Sequence, residues 1–149
     1  MRNYTLLFVI ISFFLFSSCS KDIDDRIIGS WQLENAWKQK LFNRDYFQTG
    51  YENGIFTFSE NGNATYIDGS DTLTGYWRSD RQNRRYYNSG SGEWETRYLW
   101  YLHISLVNFQ QNKRLEWEFD DFHFRNDWRT IRAEQYWYSN DRVYEFRRR

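Results

Sequence analysis

Between Trp94 and Leu106 every second residue is aromatic, aliphatic or threonine: Trp94, Thr96, Tyr98, Trp100, Leu102, Ile104 and Leu106. A two-residue period is that of a pleated strand with one face turned to the core, whereas a helix repeats every 3.6 residues. The alternation recurs along the chain. Trp31, Leu33, Asn35 and Trp37 share one face of a first strand, with Gln32, Glu34 and Lys38 opposite. Phe56 and Phe58, then Ala64 and Tyr66, flank a turn at Glu60-Asn61-Gly62-Asn63, and Asp68-Gly69-Ser70-Asp71 turns the chain again before Leu73, Gly75 and Trp77. Tyr86 and Tyr87 mark a weaker strand before a turn over Asn88–Gly92. Trp117 and Phe119 fall on one parity and Phe122 and Phe124 on the other, so a bulge or tight turn is expected at Asp120-Asp121. Ile131, Ala133, Gln135 and Trp137 form a further face, and Val143 to Phe146 a closing strand.

No segment shows a helical stripe. Aromatic residues make up 22% of the chain, with 8 Trp, 12 Tyr and 13 Phe, yet mean hydropathy is only −0.90. Large rings alternating with charges are what half-buried strands require. Eight or nine antiparallel strands in successive hairpins leave two edges to hide, and closure is the direct way to hide them. The expected fold is therefore all-β, an antiparallel up-and-down barrel of 8–9 strands, with a two-sheet β-sandwich as the alternative. A barrel of that size is either filled by side chains or holds one small ligand.

The N-terminus carries a separate signal. After Arg2, an apolar run from Tyr4 to Phe16 spans 13 residues and leads to Ser17-Ser18-Cys19. That run is shorter than the roughly 20 residues a transmembrane helix needs and matches a secretory signal. Cys19 is the chain's only cysteine, so it has no partner in this chain for a disulfide. Residues 1–18 thus read as a signal peptide, 19–26 as a modified cysteine with a charged tether, and 27–149 as one domain. With 20 basic and 20 acidic side chains, the chain lacks the basic surplus of a nucleic-acid binder.

Phe16-Ser17-Ser18-Cys19 resembles the lipobox of bacterial lipoproteins, in which Leu more often stands where this chain has Phe16. The resemblance implies a lipid on Cys19, and with it attachment to a membrane. Two or three acyl chains hold firmly where one holds only marginally. Ser20 after that cysteine implies the outer membrane. The charged, acidic tract from Ser20 to Asp25 is similar to export tags of surface-exposed lipoproteins, and reads equally as a solvated tether between anchor and domain. Ile28-Gly29-Ser30-Trp31 resembles the Gly-x-Trp that opens lipocalins. The block from Gly54 to Tyr66, Leu73-Thr74-Gly75-Tyr76-Trp77 and Tyr144-Glu145-Phe146-Arg147 resemble strands of bacterial lipocalin-like lipoproteins, so the resemblance spans about residues 27–147. It implies a lipocalin-like barrel whose floor is packed by Gly29 and Trp31, with Arg147 covering the Trp through a cation–π contact.

Inward polar groups are the best pointers to a cavity. Asn35, Tyr66, Tyr98 and Gln135, flanked by Trp37, Trp100 and Trp137, are the candidate ligand-binding set, suited to a small hydrophobic or amphipathic molecule. The irregular stretch from Lys40 to Asn53, with Phe42, Tyr46, Phe47 and Tyr51, is a candidate lid or partner contact, or else a loop packed down against the barrel. Arg78, Arg81, Arg84 and Arg85 cluster around one hairpin, and Arg147, Arg148 and Arg149 end the chain; anionic lipid headgroups or sugar phosphates are candidate ligands of such groups, but solvated surface is the simpler reading, with Asp80 diluting the first. His103 and His123 are expected on the charged face, as are the pairs Glu93/Glu95 and Glu116/Glu118. No spacing suggests a metal, a cofactor or a catalytic nucleophile. The expected role is non-catalytic: a membrane-attached binder of a small molecule, or else a structural or interaction lipoprotein with a filled barrel and a protein or glycan partner. Replacing Cys19 with Ala is expected to release the protein from membranes in fractionation; continued retention would contradict the lipid attachment.

Overall fold

The structure, a computed structural model, describes residues 23–40, 42–69, 71–88, 90–125, 128–136 and 141–149, without the side chains of 24 and 86–88. Cys19 and Trp137 lie outside the described residues. One short helix, α1 (Ile23–Ile27), precedes ten strands: β1 (Gly29–Gln39), β2 (Arg44–Tyr46), β3 (Ile55–Phe58), β4 (Asn63–Asp68), β5 (Asp71–Asn88), β6 (Glu93–Asn108), β7 (Lys113–Phe119), β8 (Asp121–Phe124), β9 (Thr130–Gln135) and β10 (Arg142–Arg148). They form one antiparallel sheet in the order β7-β6-β5-β4-β3-β1-β10-β9-β8, with β2 added to β1. The all-β antiparallel class holds, and there is no second sheet among the described residues.

The closed barrel is not formed. The two ends of the sheet, β7 and β8, are consecutive in the chain but do not pair with one another. As the shift of parity required, the strand breaks at Asp120: β7 pairs with β6, and β8 turns away to pair with β9. Side chains and single backbone bonds stitch the seam. The Asp120 N–H donates to the Glu134 carbonyl at 2.8 Å, and its carboxylate accepts from the Tyr136 N–H at 2.8 Å. Gln135 Nε2 donates to the Glu118 carbonyl at 2.9 Å, and the Trp100 N–H to Asp121 Oδ1 at 3.3 Å.

A bulge between Leu33 and Asn35 breaks the parity of β1. Trp31 and Leu33 face the core, but beyond the bulge Ala36 takes the inward position. Trp37 is consequently turned to the other face, where it is fully buried beneath Tyr46, Arg44 and Arg132. The expectation that Asn35 and Trp37 face inward is corrected accordingly.

Two further expectations change at the end where α1 sits. Residues 23–26 are not a free tether: Ile23 packs on the core and Ile27 is fully buried. Trp31 Nε1 donates to the Ile27 carbonyl at 2.7 Å, which fixes α1 against β1. The cation over the Trp31 ring, 5.3 Å from its centroid, is Arg148 and not Arg147. Register explains this, because Arg148 pairs directly with Trp31 and so shares its face, whereas Arg147 alternates outward towards Glu34.

Two glycines are sterically required. A Cβ on Gly75 would lie 2.0 Å from the Ser105 carbonyl oxygen, and one on Gly54 would lie 2.4 Å from the Tyr66 ring. Gly75→Ala forces apart β5 and β6, so a loss of about 3 kcal/mol or more in denaturant unfolding is expected; unchanged stability would show that the pairing does not depend on this contact.

Candidate functional site

The interior is filled with rings. Trp117 meets Tyr51, Phe56, Phe119, Tyr144 and Phe146 at centroid distances of 5.4–6.1 Å. Phe56 in turn lies 4.7 Å from Tyr66. The later half of the stretch expected as a lid is pinned down, since Tyr51 packs on Phe56, Tyr66 and Trp117, and Phe47 packs on Tyr144, whereas Phe42 is exposed. Glu52 holds the turn by accepting from the Gly50 N–H and the Thr49 hydroxyl, both at 3.0 Å.

The residues expected to line a cavity are dispersed. Tyr66 is a core ring whose hydroxyl reaches Asp68 at 3.5 Å, and burial first, then Asp68, pushes its pKa up to about 12. Gln135 accepts from the Tyr144 hydroxyl at 3.1 Å. Trp100 rests on Phe122, and Asn35 is exposed. Tyr98 is 58% exposed, beneath the Arg81 guanidinium. Among the described residues they lie apart, Asn35 in one surface groove and Gln135 in another.

The clearest unabsorbed feature lies between β5 and β6. These strands pair continuously from Thr74↔Val107 to Asn88↔Glu93. Yet β4 accompanies β5 only as far as Tyr76, and β7 accompanies β6 only from Leu102. Residues 78–88 and 93–101 therefore pair only with one another, a two-stranded arm roughly 35 Å long at about 3.3 Å per residue, whose half nearer the body packs on the seam through Leu99, Trp100 and Arg84. The pattern that buries Leu102, Ile104 and Leu106 continues into the arm, but there it leaves Trp94 and Tyr98 in solvent. The arm also carries Arg78, Arg81, Arg84, Arg85 and Arg97.

Midway along it, Arg84, Arg85, Arg97, Leu99 and Tyr136 line an open cleft of about 290 Å³. Leu99 is 4% exposed and provides an apolar wall. Arg84 lies 5.1 Å from the Tyr136 ring centroid and 3.8 Å from Asp120. Burial, followed by the charges of Asp121 and Glu134, raises the Tyr136 hydroxyl to about 12, so the phenol stays protonated and can donate a hydrogen bond. On the other side of Tyr136 a second groove is lined by Tyr101, Glu116, Glu118, Asp120 and Gln135. Arg97, Leu99 and Tyr136 were not singled out by sequence reasoning. The signal was available in part, because pairing Asn88 with Glu93 across the turn already puts Arg84 opposite Arg97.

Serine, histidine and glutamate do meet, but not as a catalytic relay. Glu116 accepts from Ser105 Oγ at 2.8 Å and from Arg114 at 2.9 Å, and also holds His103 Nε2. The carboxylate thus stands between hydroxyl and imidazole, and neither activates the other. His103 is on the outer face as expected, but buried there against Tyr76 and Tyr101. Among the described residues no cluster of His, Cys, Asp and Glu could hold a metal. No family model, curated protein or solved structure matches this chain.

Hydrogen bonds from His103, then Ser105, hold the Glu116 carboxyl down at about 2. A depressed carboxylate stabilises the fold above its unfolded pKa and loses that contribution as pH falls towards the folded value. Wild-type stability should accordingly decline between about pH 4.5 and pH 2 more steeply than that of Glu116→Gln, measured by denaturant melts across that range. Parallel pH profiles would contradict the network.

Proposed function

We propose that this is a non-catalytic, lipid-anchored contact protein of the outer membrane, whose arm engages an anionic partner. Cys19 would carry the anchor, and the sheet would serve as a rigid support. The single observation that carries this reading is the β5–β6 arm, which extends beyond the strands on either side and presents arginines with exposed Trp94 and Tyr98. A two-stranded ribbon without flanking strands is marginal by itself, and here only its half nearer the body is supported, by packing of Leu99, Trp100 and Arg84 on the seam. Exposed Trp, Tyr and Arg are also the residues that dominate binding energy at protein interfaces. A small molecule held inside the sheet is supported less well, since Tyr51, Phe56, Trp117 and Tyr144 occupy that space. The meander order and the Gly29–Trp31–Arg148 arrangement support a lipocalin-like ancestry.

The test is native mass spectrometry of protein extracted from its own host, comparing wild type with a variant in which residues 82–97 are replaced by a short turn. The expected result is a stoichiometric complex for wild type and none for the folded, shortened variant. A complex that survives shortening, or a co-purifying small molecule held equally by both, would overturn the reading.

A further inference from the structure

The geometry points to a specific ligand chemistry midway along the arm: the cleft where Arg84, Arg97 and Tyr136 converge binds the phosphoryl group of a phosphate ester. This deepens the reading of the arm as the contact element and rests on it. Arg84 and Arg97 are direct cross-strand partners. Like charges so placed, with Cβ atoms about 5 Å apart, destabilise a ladder. Asp120 offsets part of that repulsion, but from 3.8 Å and towards Arg84 alone. Among the described residues Arg85 and Arg97 form no ion pair. An anion between the guanidinium groups removes the repulsion and gains their charge-assisted hydrogen bonds.

The chemistry of the walls narrows the anion further. Guanidinium forks match the oxygen geometry of phosphate, and the Tyr136 phenol adds a neutral donor. Buried Leu99 lowers the local dielectric on one side, which strengthens each of these contacts. The cleft, about 290 Å³, accommodates a single headgroup-sized ester. An extended polyanion is disfavoured, because at Tyr136 the surface is already acidic, with Asp121 and Glu134 acting on its hydroxyl and Glu116, Glu118 and Asp120 lining the groove beside it. By contrast, Arg81 is engaged with the Tyr98 ring, outside the cleft, and so serves as a control.

The experiment is calorimetric titration of the full chain with inorganic phosphate and glycerol 3-phosphate, together with sedimentation with phosphatidylcholine vesicles with or without phosphatidic acid. Wild type and Arg81→Gln should bind alike, and Arg97→Gln at least about tenfold more weakly. In phosphate-free buffer Arg97→Gln should melt no lower than wild type, since a repulsion has been removed; this separates lost binding from lost folding. Equal binding to the soluble ester and to the vesicles assigns the site to phosphate esters in general. Binding confined to phosphatidic acid vesicles assigns it to a lipid headgroup. Absence of saturable binding by wild type, or an Arg97→Gln variant that binds as wild type does, overturns the proposal. If that happens while shortening the arm still abolishes the host complex, the contact reading survives without this site. If phosphoryl binding persists while the host complex survives shortening, the contact reading fails and the site stands.

Discussion

Trp117 is the point on which the architecture turns. Its ring touches Phe56 of β3, Phe119 of its own strand, Tyr144 and Phe146 of β10, and Tyr51 of the loop before β3. Strands distant in the ladder are thereby brought into contact across the interior, so the sheet curls although its hydrogen-bond ladder never closes. Buried aromatic rings remove large apolar areas from water, and tilted and edge-on pairs add to that gain. Polar groups in this interior are satisfied locally, as Tyr144 is by Gln135 and Trp31 by the Ile27 carbonyl.

A core filled in this way moves any functional surface to the outside. On most of the sheet the outer face is neutralised by paired charges, among them Arg125 with Glu145 and Arg132 with Glu134. The arm departs from that pattern. Its arginines outnumber the nearby carboxylates, two of them are opposed across the ladder, and its rings Trp94 and Tyr98 are more than half exposed, whereas the same face in the body is buried. An element that departs from local consistency of charge and burial is where function is expected to reside.

Much of the fold was legible because alternation reports facing directly. The face Leu102, Ile104 and Leu106, the turn at Glu60–Asn63 and the break at Asp120 all follow from parity. The bulge between Leu33 and Asn35 was not legible, since Asn35 and Trp37 keep an unbroken alternation while the backbone inserts a residue between them. Trp94 and Tyr98 show the deeper limit. Alternation tells which side of a strand a residue takes, but not whether anything covers that side; in the body the face meets Trp117, and in the arm it meets solvent. For the same reason Leu73–Trp77 and Tyr86–Tyr87 read as separate strands, although they belong to one strand of 18 residues. The candidate site was legible only as a run of arginines. Its cleft depends on Tyr136, which reaches the arm through the seam at Asp120 and has no local signature.

Hydrogen exchange read by mass spectrometry, on the protein in membranes of its host and again after purification in detergent, tests the central claim most directly. If the filled sheet supports a contact arm, peptides covering residues 78–101 are more protected in the host membrane, while those covering β3, β7 and β10 are equally slow in both. Protection gained in β3, β7 and β10 with the arm unchanged would show that the partner enters the interior, and would contradict this account.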